Sequence, residues 1–174
     1  MSCIYGPHQC GNEDQGWVAH FLIRALKGEP ITIFGDGKQV RDVLYVDDLV
    51  EGFLTAQANI DTLAGRAFNI GGGPDKTVSL LELIELIELL EKRPVQVTFG
   101  PWRTGDQRFY VSDHQAFTRA TGWMPRVKVA QGVARLRHWL AGEMGLPARA
   151  ARAAPDRASE EPALTVAGSA AGVR

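Results

Sequence analysis

A chain of 174 residues, 45% hydrophobic with a net charge of -1, is long enough for one domain with a real core. Such a chain buries roughly 70% of the surface that it exposes unfolded. The near-neutral balance gives no general attraction to nucleic acid or to an anionic membrane. The longest apolar run, Val78 to Leu90, is broken by Glu82, Glu85 and Glu88, which excludes a membrane span. No charged-then-apolar leader opens the chain. Two cysteines, Cys3 and Cys10, are too few for a disulfide framework, so the expected compartment is the cytoplasm.

In chain order, MSCIYGP reads as the end of a strand and a turn, a start expected of a chain cut from its lead-in. Trp17, Val18, Phe21, Leu22, Ala25 and Leu26 share one helical stripe, which predicts a helix from about Gln15 to Lys27 with Gly28 as its stop. Ile31 to Phe34 is a short strand, Gly35-Asp36-Gly37 a tight turn, and Val40 to Val46 is extended. Asp48-x-x-Glu51 reads as a capping box opening a helix to about Asn59. Ala67 to Ile70 reads as a strand ending in three glycines. Ser79-x-x-Glu82 is a second capping box, for a helix over Leu80 to Lys92 that buries Leu83, Ile84, Leu86, Ile87 and Leu90 and keeps its glutamates in water. Lys92 and Arg93 suit the negative end of that helix. Val95 to Phe99 is a strand, Asp113 caps a short helix ending at Gly122, and a last helix covers about Ala130 to Leu140. Beyond Gly145 alanine, arginine, proline and glycine dominate without an apolar period, so residues 146–174 read as a disordered tail after a folded part over 1–145. Strands alternating with helices predict an α/β architecture.

Chemistry centres on Arg41, in the string FGDGKQVRDVLYVDD from Phe34 to Asp48. A planar guanidinium can hold two oxygens of a diphosphate at once. Gly35 and Gly37 would let backbone approach such a ligand closely. Arginines also form surface pairs with neighbouring carboxylates, and Arg41 alone does not choose between the two. Asn69, before the glycine run, offers both a donor and an acceptor, and is equally a turn former. GGGPDKT lacks the glycine that precedes the lysine of a phosphate loop, and the run lacks the G-x-G-x-x-G spacing of a dinucleotide fingerprint. His8 and Cys10 have no partner pair, so no metal is expected.

Taken together, FGDGKQVRDVLYVDD, AFNIGGG (Ala67 to Gly73) and PWRTGDQRFYVSD (Pro101 to Asp113) resemble the second half of the sugar-nucleotide epimerases and dehydratases. These form the extended branch of the short-chain dehydrogenase/reductase family. The resemblance spans Ser2 to about Gly142. It implies the substrate-binding half of that fold, without most of the N-terminal Rossmann sheet, and a nucleotide-diphosphate sugar as ligand. It further implies that Arg41 of the VRD element, with Gln39 beside it, grips the diphosphate. Asn69 helps to position the substrate, and Arg103, in an RxxD element closed by Asp106, supplies a second contact. Gly16, Trp17 and Val18 open a helix where the family places substrate contacts, and helix-start amides suit an anion. The Trp17 indole either stacks on a base or packs in the core. NAD is the implied cofactor, with Ser2 at the nicotinamide and Cys3 facing the sugar, where the family usually has asparagine or serine.

The family's catalysis uses a tyrosine with a lysine four positions later. Tyr5, Tyr45 and Tyr110 are followed at that spacing by Gln9, Leu49 and His114, so no catalytic residue is assigned. The isolated chain is expected to lack epimerase activity, with the cofactor half encoded upstream or supplied by a separate polypeptide. DQGW, GKQVRDVLYVDD and RTGDQRFYVSD most resemble the CDP-paratose 2-epimerase branch of the family. The sugar-nucleotide 4,6-dehydratases share much of the same skeleton, and a non-catalytic sugar-nucleotide binding remnant is the other reading.

Overall fold

Short runs of β-branched and aromatic residues alternate with helical stripes, and the computed structural model, which describes residues 3–146, shows the elements that this alternation demands. In order they are β1 (Cys3–Tyr5), α1 (Trp17–Lys27), β2 (Ile31–Phe34), β3 (Val40–Tyr45), α2 (Val46–Ala58) and one-turn α3 (Ile60–Leu63). They continue with β4 (Thr77–Ser79), α4 (Leu80–Glu91), β5 (Val97–Gly100), β6 (Phe109–Tyr110), α5 (Gln115–Thr121) and α6 (Val129–Glu143). The tail expected over 146–174 lies, from residue 147 on, outside the described residues.

β3 is the hub of a four-stranded mixed sheet. Its second half pairs in parallel with β1, from Cys3 opposite Val43 to Tyr5 opposite Tyr45. Its first half pairs antiparallel with β4 and in parallel with β6. β2 and β5 form a separate parallel pair, Ile31 opposite Val97 through Phe34 opposite Gly100. The main core is one layer of helix faces on these strands. Val18, Phe21, Leu22 and Ala25 of α1 meet Leu83, Ile84 and Ile87 of α4 and Val133, Leu136 and Leu140 of α6, over Ile31, Ile33 and Val43. Burying each large aliphatic side chain contributes about 1.5–3 kcal/mol. A smaller cluster joins Leu44, Leu63, Phe117 and Trp123.

Local signals set the helix ends. α1 stops where Gly28 adopts φ 71°, and the amides of Gly28 and Glu29 return to the carbonyls of Ala25 and Arg24 at 3.0 and 2.9 Å. α4 opens with the expected capping box: the Glu82 amide donates to Ser79 Oγ at 3.2 Å and the Ser79 amide to Glu82 Oε2 at 2.6 Å. Lys92 is its C-cap, but Arg93 turns away from α4 and donates to the Ala25 carbonyl of α1.

Several expectations fail, mostly because distant partners claim the groups. Glu91 of α4 does not stay in water: it is buried and pairs with Arg137 of α6 at 2.7 Å. α5 takes His114 as its N-cap, while Asp113 Oδ1 accepts the Gln115 amide at 2.8 Å. Asp48 does not cap α2, which begins at Val46 with Tyr45 as its N-cap. The buried Asp48 carboxylate instead accepts the amides of Arg126 and Val127 at 3.1 and 3.0 Å, tying α2 to the approach of α6, and Glu51 reaches Arg126 at 3.4 Å. The strand expected over Ala67 to Ile70 is irregular chain: Phe68 and Ile70 pack on the smaller cluster with no ladder partner. The short β4 and β6 have no legible period.

Candidate functional site

A cleft of about 340 Å³ is formed by α1 and the chain before it, β2, the start of β3, the start of α4 and the loop between β5 and β6. Trp17, Phe21, Phe34 and Leu80 give it apolar walls, and Glu13, His20, Gln39, Arg41, Arg103 and Asp106 supply its polar groups.

The alternation of β3 explains Arg41. Asp42 turns into the protein and is fully buried, so Arg41 faces the other way, into the cleft. Its guanidinium donates to the Val40 carbonyl at 2.9 Å, to Asp106 Oδ1 at 2.7 Å and to the Gln107 carbonyl. The carboxylate pairing open in the sequence is therefore real, and it lies within the cleft. Gln39, 3% exposed, donates through Nε2 to the Phe34 carbonyl at 2.6 Å and to Asp106 Oδ2 at 3.3 Å. Asp106 thus fastens the 101–108 loop to β3. The Gln39 Oε1 atom is buried without a hydrogen-bond partner among the described residues.

Arg103 comes from that loop. Its guanidinium lies over the Phe34 ring, 3.9 Å from the centroid. It pairs with Glu13 Oε1 at 2.9 Å, donates to the Glu13 carbonyl at 3.3 Å and stands 3.6 Å from Asp14 Oδ1. The Glu13 side chain is more than half exposed, so this pair contributes about 0–1 kcal/mol. His20 lines the same space; burial and the nearby Arg24 charge hold its pKa below the ordinary value. The turn behind the cleft needs glycine at position 35, where φ is 93° and a Cβ would stand 2.8 Å from the Trp102 ring.

The structure therefore brings Gln39, Arg41, Arg103, Asp106 and Trp17 together and leaves the other candidates apart. Trp17 lines the cleft and also packs against the main core. Val18 is buried in the core beneath the helix, with no side-chain surface for a ligand. Gly16 is the left-handed N-cap of α1, backed by Gln9 and Gly11. Cys3 is not among the residues lining the cleft; burial pushes its thiol up to about 11, against a hydrogen bond with Trp17 that pulls it down. Such a thiol is a poor nucleophile at neutral pH. Asn69 is exposed on irregular chain and does not line the cleft. Ser2 lies outside the described residues.

The glycines after Asn69 serve the fold. A Cβ on Gly71 would stand 1.9 Å from Ser112 Oγ and 2.9 Å from Asp42 Oδ2, and one on Gly72 2.2 Å from the Val43 carbonyl. The Gly73 amide and the Ser112 hydroxyl both donate to Asp42 Oδ2. This backbone closes on a buried carboxylate of its own chain. Glu13, His20, Phe34 and Leu80 belong to the cleft without having been singled out. Phe34, adjoining the GDG turn, carried the nearest thing to a signal.

Residues 1–71 match the NAD dependent epimerase/dehydratase family. Over 143 residues the chain is 41% identical to the CDP-paratose 2-epimerase of Salmonella typhi, covering 79% of this chain and 42% of that protein. It is 36% identical to the UDP-glucose 4-epimerase of Mycolicibacterium smegmatis over 132 residues, 76% of this chain and 41% of the relative. A dTDP-glucose 4,6-dehydratase of Xanthomonas campestris is 30% identical over 143 residues, 78% of this chain and 39% of the relative. Among solved structures, the UDP-glucuronic acid 4-epimerase of Bacillus cereus in complex with UDP-glucuronic acid and NAD superposes with a TM-score of 0.72 at 27% identity, over 80% of this chain and 43% of that one. The UDP-glucose 4-epimerase of Thermotoga maritima with UDP-glucose gives 0.72 at 31%, over 81% and 44%. The chain spans less than half the length of these relatives.

Proposed function

Because the chain belongs to the NAD-dependent epimerase/dehydratase family, over a stretch worth about two fifths of its relatives' length, we propose that its cleft binds the diphosphate of a nucleoside-diphosphate sugar. One observation carries this reading: Arg41 and Arg103, 62 positions apart, line one cleft with apolar walls. A diphosphate entering there exchanges internal carboxylates for its own oxygens, and each charge-assisted bond contributes about 1.5–3 kcal/mol. Arg41 offers a guanidinium preset by the Val40 and Gln107 carbonyls, while Arg103 is steadied by the Phe34 face. Trp17 and Phe21 give a sugar or base an apolar surface.

On this reading the chain is the substrate-binding part of an epimerase that acts on a CDP-sugar, after its 41% identity to the CDP-paratose 2-epimerase. In such an enzyme bound NAD takes up and returns a hydride. The described residues do not fit that group by themselves: the glycine-rich turn at 71–73 is filled by Ser112, Asp42 and Val43, leaving no cradle for a second pyrophosphate. The role left to this chain is to bind and orient, and hydride transfer requires residues outside it. Isothermal titration of the chain with a CDP-sugar, a UDP-sugar and free cytidine tests the proposal. Binding of the sugar nucleotides but not cytidine is expected, with the CDP-sugar favoured. Equal, weak heats for all three would remove the cleft from consideration.

A further inference from the structure

Among the polar residues that line the cleft, Gln39 is the buried one, and the structure gives its amide a defined direction. Its Nε2 donates to the Phe34 carbonyl at 2.6 Å and to Asp106 Oδ2 at 3.3 Å. Turning the amide over would set Oε1 against two acceptors, so these bonds fix which end faces them. The consequence is the buried Oε1 without a partner among the described residues. A buried acceptor without a donor is unfavourable, and such a group calls for an explanation beyond the packing of the core.

The donor end meets the crown of the 101–108 loop. Backbone bonds hold the two ends of that loop: the Gly35 amide donates to the Gly100 carbonyl and the Val40 amide to the Arg108 carbonyl, both at 3.0 Å. Between them side chains tie the crown to β3. Arg41 takes Asp106 Oδ1 at 2.7 Å and the Gln107 carbonyl, and Gln39 takes the other Asp106 oxygen. A diphosphate on Arg41 loosens the first tie, because it competes with Asp106 and Gln107 for the same N–H groups. Gln39 is not exchanged: its amide is buried and carries no charge for an anion to claim. The same amide holds the Phe34 carbonyl, and the Phe34 ring is the seat of the Arg103 guanidinium at 3.9 Å. Both supports of Arg103, the ring beneath it and the loop that carries it, therefore meet at Gln39.

We infer that Gln39 is a positioning residue. Its amide holds Asp106, and with it the loop that presents Arg103, while a diphosphate displaces Asp106 from Arg41. In this role Gln39 serves the diphosphate through Asp106 and Arg103 rather than by touching it. The inference rests on the diphosphate reading of the cleft.

Titration calorimetry of a CDP-sugar on the full 174-residue chain tests it. Gln39→Met keeps the length of the side chain and removes the donor, and affinity should fall about three- to tenfold, as for Arg103→Ala. Gln39→Met combined with Arg103→Ala should lose no more than about twofold beyond either alone, because both remove one contact. Gln39→Glu adds a readout that a packing defect would not move. At about pH 8 its carboxylate repels Asp106, and binding should fall about tenfold or more below the parent. At about pH 5 a proton shared by the two carboxyls restores a hydrogen bond, and the deficit should shrink about threefold or more. Arg41, Arg103, His20 and Glu13 line the cleft in both proteins, so comparison with the parent at each pH removes their own titration. Losses that multiply in the double variant, a Gln39→Glu deficit equal at both pH values, or full affinity in Gln39→Met would each overturn the role. A parent chain that binds no sugar nucleotide removes the cleft reading itself; a parent that binds, with Gln39→Met indifferent, removes only what is assigned to Gln39.

Discussion

Arg41 and Arg103 reach the same cleft from different kinds of backbone. Arg41 leaves a strand paired on both sides; its side chain is 18% exposed and is held by two carbonyls and Asp106. Arg103 leaves an irregular loop; its side chain is 38% exposed and rests on Phe34 and on carboxylates that solvent screens. The same guanidinium is thus a structural fastener in one place and a lightly held arm in the other. Arg41 arrives already oriented, so little is lost in ordering it around a ligand, whereas Arg103 must release Glu13 before it can bind.

The two arginines should therefore respond unequally to truncation. Arg41→Ala should lower affinity for a sugar nucleotide by about tenfold or more. It should also lower the melting temperature, because Asp106 Oδ1 and the Gln107 carbonyl lose the Arg41 donor. Arg41→Lys should not restore binding, since a single ammonium cannot serve several fixed acceptors. Titration calorimetry and thermal melting on the same samples check all three statements. Arg103→Ala should cost roughly three- to tenfold in affinity and leave the melt unchanged, because its ion pairs are exposed. A drop in melting temperature equal to that of Arg41→Ala would erase the contrast.

Smaller effects sharpen it further. Glu13→Gln removes the carboxylate that competes for Arg103 and should raise affinity about two- to threefold, measured at low salt. His20 adds a pH dependence whose sign is fixed. Burial, aided by the Arg24 charge, holds its pKa below the unfolded value, so the folded chain binds that proton less readily and loses some stability as pH falls below about 6.5. A bound diphosphate draws the pKa back up, so affinity should rise as pH falls through the same range. His20→Gln should flatten both trends.

Long helices with clear periods were legible from sequence, because their partners lie within a few positions. α1 with Gly28, α4 with its Ser79–Glu82 box and the place of α6 all follow from local rules. What was not legible depends on distance along the chain. Asp48 resembled a cap and instead binds amides 78 and 79 positions away. The glycines after Asn69 resembled a strand end and are shaped by Ser112, through an Asp42 carboxylate 70 positions from it. The two cleft arginines were found through their motifs, while Glu13 and His20, which set the electrostatics around Arg103, stand in stretches with no pattern that marks them.

A double-mutant cycle in titration calorimetry tests the central claim most directly: that one diphosphate engages both guanidiniums. With Arg41→Ala, Arg103→Ala and the double substitution measured against a CDP-sugar, the account predicts that the combined loss departs from the two single losses added together by about 0.5 kcal/mol or more. Losses that add within about 0.3 kcal/mol, or full affinity in either single variant, would contradict it.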